Sequence, residues 1–528
     1  MIVMRLEKRK TPDFSYAGYQ YGMEEIPQNQ DEKNVTQLGI FPDTGEDLTQ
    51  RVQYEIDVIG ENGGGCLFFP KGRYDFNMDP NQERYLQIRH SNVVISGEEG
   101  TVFYNHNKNY NSYFPWFSPA LIQVGGDLVS ENKFLSPGDL EFASYLKNEG
   151  KEGDWTLTLQ EDIGAKEGDC ILIALSDNED RALFSSMIAP LAPNSDWERL
   201  YRANETSSYP YQWIVELDGA EGNQLKLKQP LRVNIPIEFH PAVYRLPMLE
   251  GVGVRNIRFE SAWTGGYYHH KNCIVDYAWN GVYFHRVKHG FMENLHFDNC
   301  TQPIVLFDCR NITVQDIGIT GHGGHMGVRC YVHTSDCLFR RVTVDSFRTH
   351  VISLEGNPQG NVFQDMEISV PGCEVDMHGG GLPACNLCEN IRGLAKISGG
   401  GGIPNLPYSG QYNTYWNCSF SPVPFQKKMN TYEANRKAKP EVVKKREKEL
   451  FHAWYMSYYQ NYEGTCDHHM FPQTILNGIL SDREAFIDGR AEDWEDEWIT
   501  VKNFGKKAEP ASLYDAQLAA RKRGLLNE

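Results

Sequence analysis

Seven side chains that can move protons or hold anions crowd into a short stretch of this chain. His322, His325 and His333 come first, with Arg329 between them; Arg348 and His350 follow, and then His378. An imidazole gives and takes a proton near neutral pH. A guanidinium holds a carboxylate or phosphate by paired hydrogen bonds. Together they suit acid–base work on an anionic substrate. His322, His350 and His378 are spaced by 28 and 28 residues. If that is close to one structural repeat, the three stack as a column along one wall.

A repeat is present to carry them. Glu293-Asn294-Leu295-His296-Phe297 is echoed by Asp316-Ile317-Gly318-Ile319-Thr320, Arg341-Val342-Thr343-Val344, Asp365-Met366-Glu367-Ile368 and Glu389-Asn390-Ile391. Each phrase alternates polar and β-branched or large apolar residues, the pattern of a half-buried strand. The phrases recur about every two dozen residues, with turn residues and no helical pattern between them. That period is too short for a propeller blade of about 40 residues. It predicts a parallel β-solenoid, in which each coil buries its inward face on its neighbours and the side walls offer long binding surfaces.

The chain has 528 residues, 40% hydrophobic and 23% charged, with 10 Trp, 28 Tyr and 26 Phe. A net charge of −19 argues against a nucleic-acid partner, which would need a basic face, but is compatible with a local basic groove for an anionic polymer. The 12 cysteines are irregularly spaced, and Cys300, Cys309, Cys330 and Cys337 fall in or beside repeat strands. Buried free thiols are expected there rather than a disulfide framework. Cys385-x-x-Cys388 is half of a zinc pattern without its second half, so no metal site is assigned. No stretch has the roughly 18 apolar residues of a membrane span. Met1–Lys10 lacks the apolar run of a secretory signal.

Residues 1–35 read as an extended arm. Leu48, Val52, Ile56 and Ile59 lie at helical spacing, and Gly63-Gly64-Gly65 stops that helix before the strand Cys66–Phe69. The rhythm breaks at about 140–245, where Trp155–Leu159, Ile214–Leu217 and Leu225–Leu227 read as antiparallel strands of an inserted subdomain or lid. Residues 176–211 are loop-rich and carry Trp197, Tyr201 and Tyr209. Coils resume at Gly253–Phe259, with a loop of about 14 extra residues spliced into the next coil; it holds Tyr267, Tyr268, His269, His270 and Lys271. The β-helix is expected to span 36–425. A tail over 426–528 contains an amphipathic helix at 441–460, set by Val443, Glu447, Leu450, Phe451, Trp454 and Tyr458. A short final helix starts at Leu513. Cys466-Asp467-His468-His469 is metal-capable by residue type, but adjacent residues rarely all face one ion, so it reads as a tail loop.

The segment Gly63-Gly64-Gly65-Cys66-Leu67-Phe68-Phe69-Pro70-Lys71-Gly72-Arg73-Tyr74 resembles the entry segment of pectate-lyase-like right-handed parallel β-helix proteins. Pro12–Tyr19, Ser398–Gly400, Ser409-Gly410, Thr414–Asn417 and Ser512–Leu518 are similar to segments of an uncharacterised Bacteroidetes-type polysaccharide-degrading group of that superfamily. The resemblance implies an all-β right-handed parallel β-helix with a small β insertion and a helical C-terminal tail. It also implies a secreted or periplasmic location, an acidic polysaccharide or oligosaccharide as partner, and side walls through which such proteins can oligomerise. Gly321–Gly327 resembles the histidine loop of polygalacturonases, but the paired aspartates and the Arg-x-Lys of that family are absent.

For such a protein the leading expectation is a polysaccharide lyase cleaving a uronate chain by β-elimination. A cation neutralises the carboxylate, a base takes the adjacent proton, and an acid protonates the leaving oxygen. His350 is the expected base and Arg348 the carboxylate neutraliser, with His322 and His378 completing proton transfer or holding the sugar. His269, His270, Tyr268, Arg329, His325 and Glu355 are expected to hold substrate. No cofactor is called for, though Ca²⁺ is an alternative source of the cation. Asp345, Glu355, Asp365 and Asp376 form the rival set for a glycoside hydrolase, which needs two carboxylates flanking the bond; Glu355 beside Gly356-Asn357 is its best candidate, and Asp365 reads as a strand-flank residue. A non-catalytic glycan-binding solenoid is the third reading.

Overall fold

The computed structural model describes residues 11–28, 32–82, 84–126, 137, 140–189, 209–269, 271–378, 381–400, 409–421, 472–481, 494–495 and 499–525. Trp197, Tyr201, His270, the expected helix at 441–460 and the Cys466–His469 cluster lie outside the described residues.

Two long sheets of stacked parallel strands make a parallel β-helix. In the first sheet Gly253–Ser261, Phe291–Asp298, Thr313–Thr320, Leu338–Val344, Val362–Ile368, Leu387–Glu389 and Thr414–Trp416 follow one another in chain order. The second sheet stacks Leu86–Ile88, Ala120–Val124, Asn280–His285, Gln302–Phe307, Gly324–Val332, Arg348–Gly356, Glu374–His378 and Lys396–Gly400. Successive ladder partners Phe291, Thr313, Leu338, Val362 and Leu387 set coils of 22 to 25 residues. The core between the sheets is apolar, and like side chains stack from coil to coil. Phe259 lies on Phe297 with ring centres 5.0 Å apart, and Phe339 on Phe363 at 4.7 Å. No coil could bury these faces alone, so stacking supplies the core.

The repeated phrase also carries a kink. Asn256, Asn294, Asp316, Arg341, Asp365 and Asn390 all have φ between 50° and 59°. Asn and Asp tolerate this left-handed conformation better than most residues, which explains their recurrence just inside the strands. Asp365 is one of these kinked residues, inside the strand Val362–Ile368 rather than at its flank. At another turn the side chains of Asn361, Asn386 and Asn413 form an amide ladder, with Nδ2 to Oδ1 distances of 3.0 and 3.1 Å. The ladder satisfies polar groups that the turn buries.

The break near 140–245 is a six-stranded antiparallel sheet with its own core around Trp213, Ile173 and Leu225. It docks on the solenoid through a buried polar knot. Glu216 meets Lys288 at 3.0 Å and His289 at 2.7 Å, and Tyr21 of the N-terminal arm donates to it at 2.6 Å. Burial opposes ionisation of Glu216, but His289 and Arg310 win and hold its carboxyl well below the usual range. Arg310 donates to the Ile214 carbonyl at 3.0 Å.

The arm and the final helix Leu513–Lys522 pack together against the first sheet, with Phe14, Ala17, Leu338, Val362, Trp416 and Tyr514 in one cluster. Ser512 caps the helix by accepting from Asp515 N–H. The solenoid does not stop at the expected 425: Thr474–Asn477 and Ile499–Lys502 continue the first sheet in parallel. The eleven described cysteines are free, and all but Cys273 are buried. No described helix is long and apolar enough to cross a membrane.

Candidate functional site

The outer wall of the second sheet gathers the titratable side chains. Strands Gly324–Val332 and Arg348–Gly356 are neighbours, and the spliced loop after Ser261 folds over them. His325 and His350 face each other with ring centres 5.3 Å apart. His269 on the loop lies 5.0 Å from His325 and 5.2 Å from His350. One nitrogen from each of the three imidazoles lies within 4.8 Å of the others, so the trio could hold a metal ion.

Strand alternation by itself would separate His325 from His350. Val351 and Ile352 both pack in the core, and the register against the next strand shifts between His350 and Ile352. Such a bulge re-aims a side chain. Here it leaves His350 on the outer wall, with Nδ1 4.0 Å from the Asp376 carboxylate. Asp376 in turn accepts from Ser353 Oγ at 3.2 Å.

The loop is anchored by Tyr267, whose hydroxyl is 2.6 Å from Thr349 Oγ1. It ends in the short helix Cys273–Tyr277, started by Asn272 accepting from Val275 N–H. That turn delivers Tyr277, whose ring centre is 5.1 Å from His325. Burial pushes the Tyr277 phenol up, against a downward pull from Arg329. Arg329 and Glu355 pair at 2.5 Å on the same wall, and the Arg329 guanidinium lies 3.9 Å over the Tyr331 ring. Burial opposes the Arg329 charge, but Glu355 raises its pKa.

The expected column of His322, His350 and His378 does not form. The coils of this sheet advance by about 24 residues, as Val328 opposite Ile352 shows, so a spacing of 28 slides along the strand. His350 stands opposite Met326 and Glu374, and His378 opposite Glu355. His378 is thus four residues beyond Glu374 on its strand, roughly 13 Å away. His322 is exposed in the turn before Gly324, its ring 5.9 Å from Trp263.

Arg348 is a brace rather than a surface cation. It is fully buried and donates to the Cys300 carbonyl at 2.5 Å, to Ser346 Oγ at 2.8 Å and to the His322 carbonyl at 3.3 Å. Burial lowers its pKa to about 10. Its guanidinium is therefore occupied inside the coil by carbonyl and hydroxyl acceptors.

Of the residues assigned to substrate, His269, His325, Arg329 and Glu355 gather on the wall. Tyr268 lies on the loop beside Lys271, whose Nζ is 5.6 Å from its ring. His333 is apart, bonded to Asp308 at 2.9 Å and to Gln212 at 3.0 Å. Tyr277 was not singled out from the sequence; its position on the spliced loop, just after a capped turn, was the available signal.

No family model matches the chain, and no curated protein matches it in sequence. Among solved structures it is similar to a tailspike of an Acinetobacter baumannii bacteriophage in complex with a capsular saccharide, at 11% identity and a TM-score of 0.41, over 73% of this chain and 53% of that one. It is similar to a Pseudomonas phage tailspike at 12% identity and a TM-score of 0.44, over 75% and 64%. The A-module of an Azotobacter vinelandii mannuronan C-5 epimerase is similar at 10% identity and a TM-score of 0.30, over 86% and 90%. The chain thus spans about half to two thirds of the length of these two tailspikes. Function has to be read from the side chains.

Proposed function

We propose that the protein is a carbohydrate-active β-helix that cleaves a uronate-containing polysaccharide by β-elimination on the outer wall of its second sheet. The observation that supports this is the convergence of His269, His325, His350 and Tyr277 from two adjacent coils and the spliced loop. The likeness of Gly63–Tyr74 to pectate-lyase-like proteins points the same way.

In this reading the three imidazoles form the pocket for the uronate carboxylate, and His350 sits at its centre rather than acting as the base. Tyr277 at the edge moves the proton. As its phenolate, which burial disfavours and a cation in the imidazole pocket would favour, Tyr277 can take the proton beside the carboxylate and then return it to the leaving oxygen when both lie on one face of the sugar. Arg329 and Glu355 extend the polar wall toward the next sugar, and Arg348 holds the coil that carries His350.

Incubation with a panel of uronate polysaccharides tests the reading. Ultraviolet absorbance from an unsaturated uronate should rise, and Tyr277→Phe should slow the rise about 100- to 10,000-fold. New reducing ends without that absorbance would mean hydrolysis and would move attention to Glu355. Binding to a polymer with neither signal would leave a glycan-binding solenoid.

A further inference from the structure

We infer that His269, His325 and His350 form a binding site for one divalent transition-metal ion of the zinc class. The inference rests on the proposed elimination only for the ion's role; the site itself rests on geometry. The three imidazoles come from three different parts of the chain, two of them held by adjacent coils. Their nitrogens lie within 4.8 Å of one another. A zinc ion with Zn–N bonds of about 2.0–2.1 Å needs tetrahedral ligands roughly 3.4 Å apart. Closing the difference takes up to about 1.4 Å. His269 sits on the spliced loop rather than on a ladder strand, so its part of that movement leaves the sheets undisturbed, and rotation of the His325 and His350 rings supplies the rest.

The donor set selects the ion. Neutral imidazoles suit zinc, copper, nickel and iron, whereas Ca²⁺ and Mg²⁺ require oxygen ligands. Three protein ligands also leave a coordination position open, the arrangement of catalytic rather than structural zinc sites. Beside the trio, the Asp376 carboxylate stands 4.0 Å from His350 Nδ1 and accepts from Ser353 Oγ. Its negative charge favours a cation on the imidazoles.

An ion here meets a need of the reaction. Elimination next to a uronate carboxylate requires a cation on that carboxylate. Arg348 is buried under the strand and Arg329 is paired with Glu355. An ion on the imidazoles would hold the carboxylate beside Tyr277, whose ring neighbours His325.

The test uses the full chain, freed of metal by a chelator and dialysed. Titration with Zn²⁺ alone, followed by calorimetry, should show one ion per chain. Co²⁺ should give the visible absorption of a nitrogen-ligated, low-coordinate site. His269→Ala should weaken binding at least tenfold, and because it changes only the loop, its melting temperature without metal should match the wild type. Asp376→Asn, which removes that charge, should weaken binding severalfold. A variant carrying Cys466→Ser, His468→Ala and His469→Ala should bind as the wild type does.

Absence of stoichiometric Zn²⁺ binding would overturn the inference. So would binding that His269→Ala and His325→Ala leave unchanged, or binding that the Cys466/His468/His469 variant removes. Full-rate elimination by metal-free protein would overturn the ion's role in the reaction and leave both the site and the proposed function standing. Stoichiometric binding without elimination on any uronate polymer would overturn the proposed function and leave the site standing.

Discussion

His325 and His350 stand one coil apart in the chain, and their rings meet at 5.3 Å on the outer wall of the second sheet. A bulge at His350 and Val351 makes the meeting possible, because it turns His350 out of the core while Val351 and Ile352 stay in. The spliced loop then closes His269 over both. Three imidazoles from separate parts of the chain are thereby brought together on that wall.

Tyr277 is assigned the proton transfer. Tyr277→Phe keeps the ring against His325 and removes only the hydroxyl. The rate of elimination should fall about 100- to 10,000-fold, with the melting temperature and Zn²⁺ affinity unchanged. Absorbance progress curves, calorimetry and thermal melts on one preparation check all three.

Arg348 is assigned to the fold. Arg348→Met should lower the unfolding free energy by about 1–3 kcal/mol, because the Cys300 and His322 carbonyls lose a buried donor. Arg348→Lys should restore little of it, since one ammonium cannot reproduce the guanidinium fork. Urea unfolding of both variants gives the comparison.

Glu216 ties the inserted sheet to the solenoid. Glu216→Gln would leave the buried His289 without its anion and Lys288 with only the exposed Glu250 carboxylate at 3.2 Å, and breaking such a buried pair costs about 3–5 kcal/mol. The expected outcome is earlier undocking of the insert, seen as faster limited proteolysis within 140–245 and a broadened denaturation curve.

Glu389 gives the fold a pH dependence. It accepts from Ser512 Oγ at 2.7 Å and from Leu513 N–H at 2.7 Å at the start of the final helix. Burial outweighs these donors and pushes its pKa from 4.5 up to about 7. Between those values the folded chain keeps a proton that the unfolded chain has released. This contribution to stability is fully present below 4.5 and is lost as pH rises toward about 7. Glu389→Gln should flatten that slope; urea midpoints measured across the window decide it.

The sequence by itself determined the solenoid, because the repeat period and the strand alternation are local consequences of burying one face per coil. It also placed the antiparallel insert, the helix over Leu48–Ile59 and the loop that carries His269, since each interrupts or ends a periodic pattern. Arg329, Glu355 and His325 were legible as polar residues on that pattern. Tertiary structure alone decided which histidines meet. A spacing of 28 against a coil of about 24 moves a backbone position some 13 Å along its strand, so residues 322 and 378 fall out of register with His350. The bulge, the burial of Arg348 and the delivery of Tyr277 depend on how one coil seats on the next, and no single segment of the chain encodes that seating.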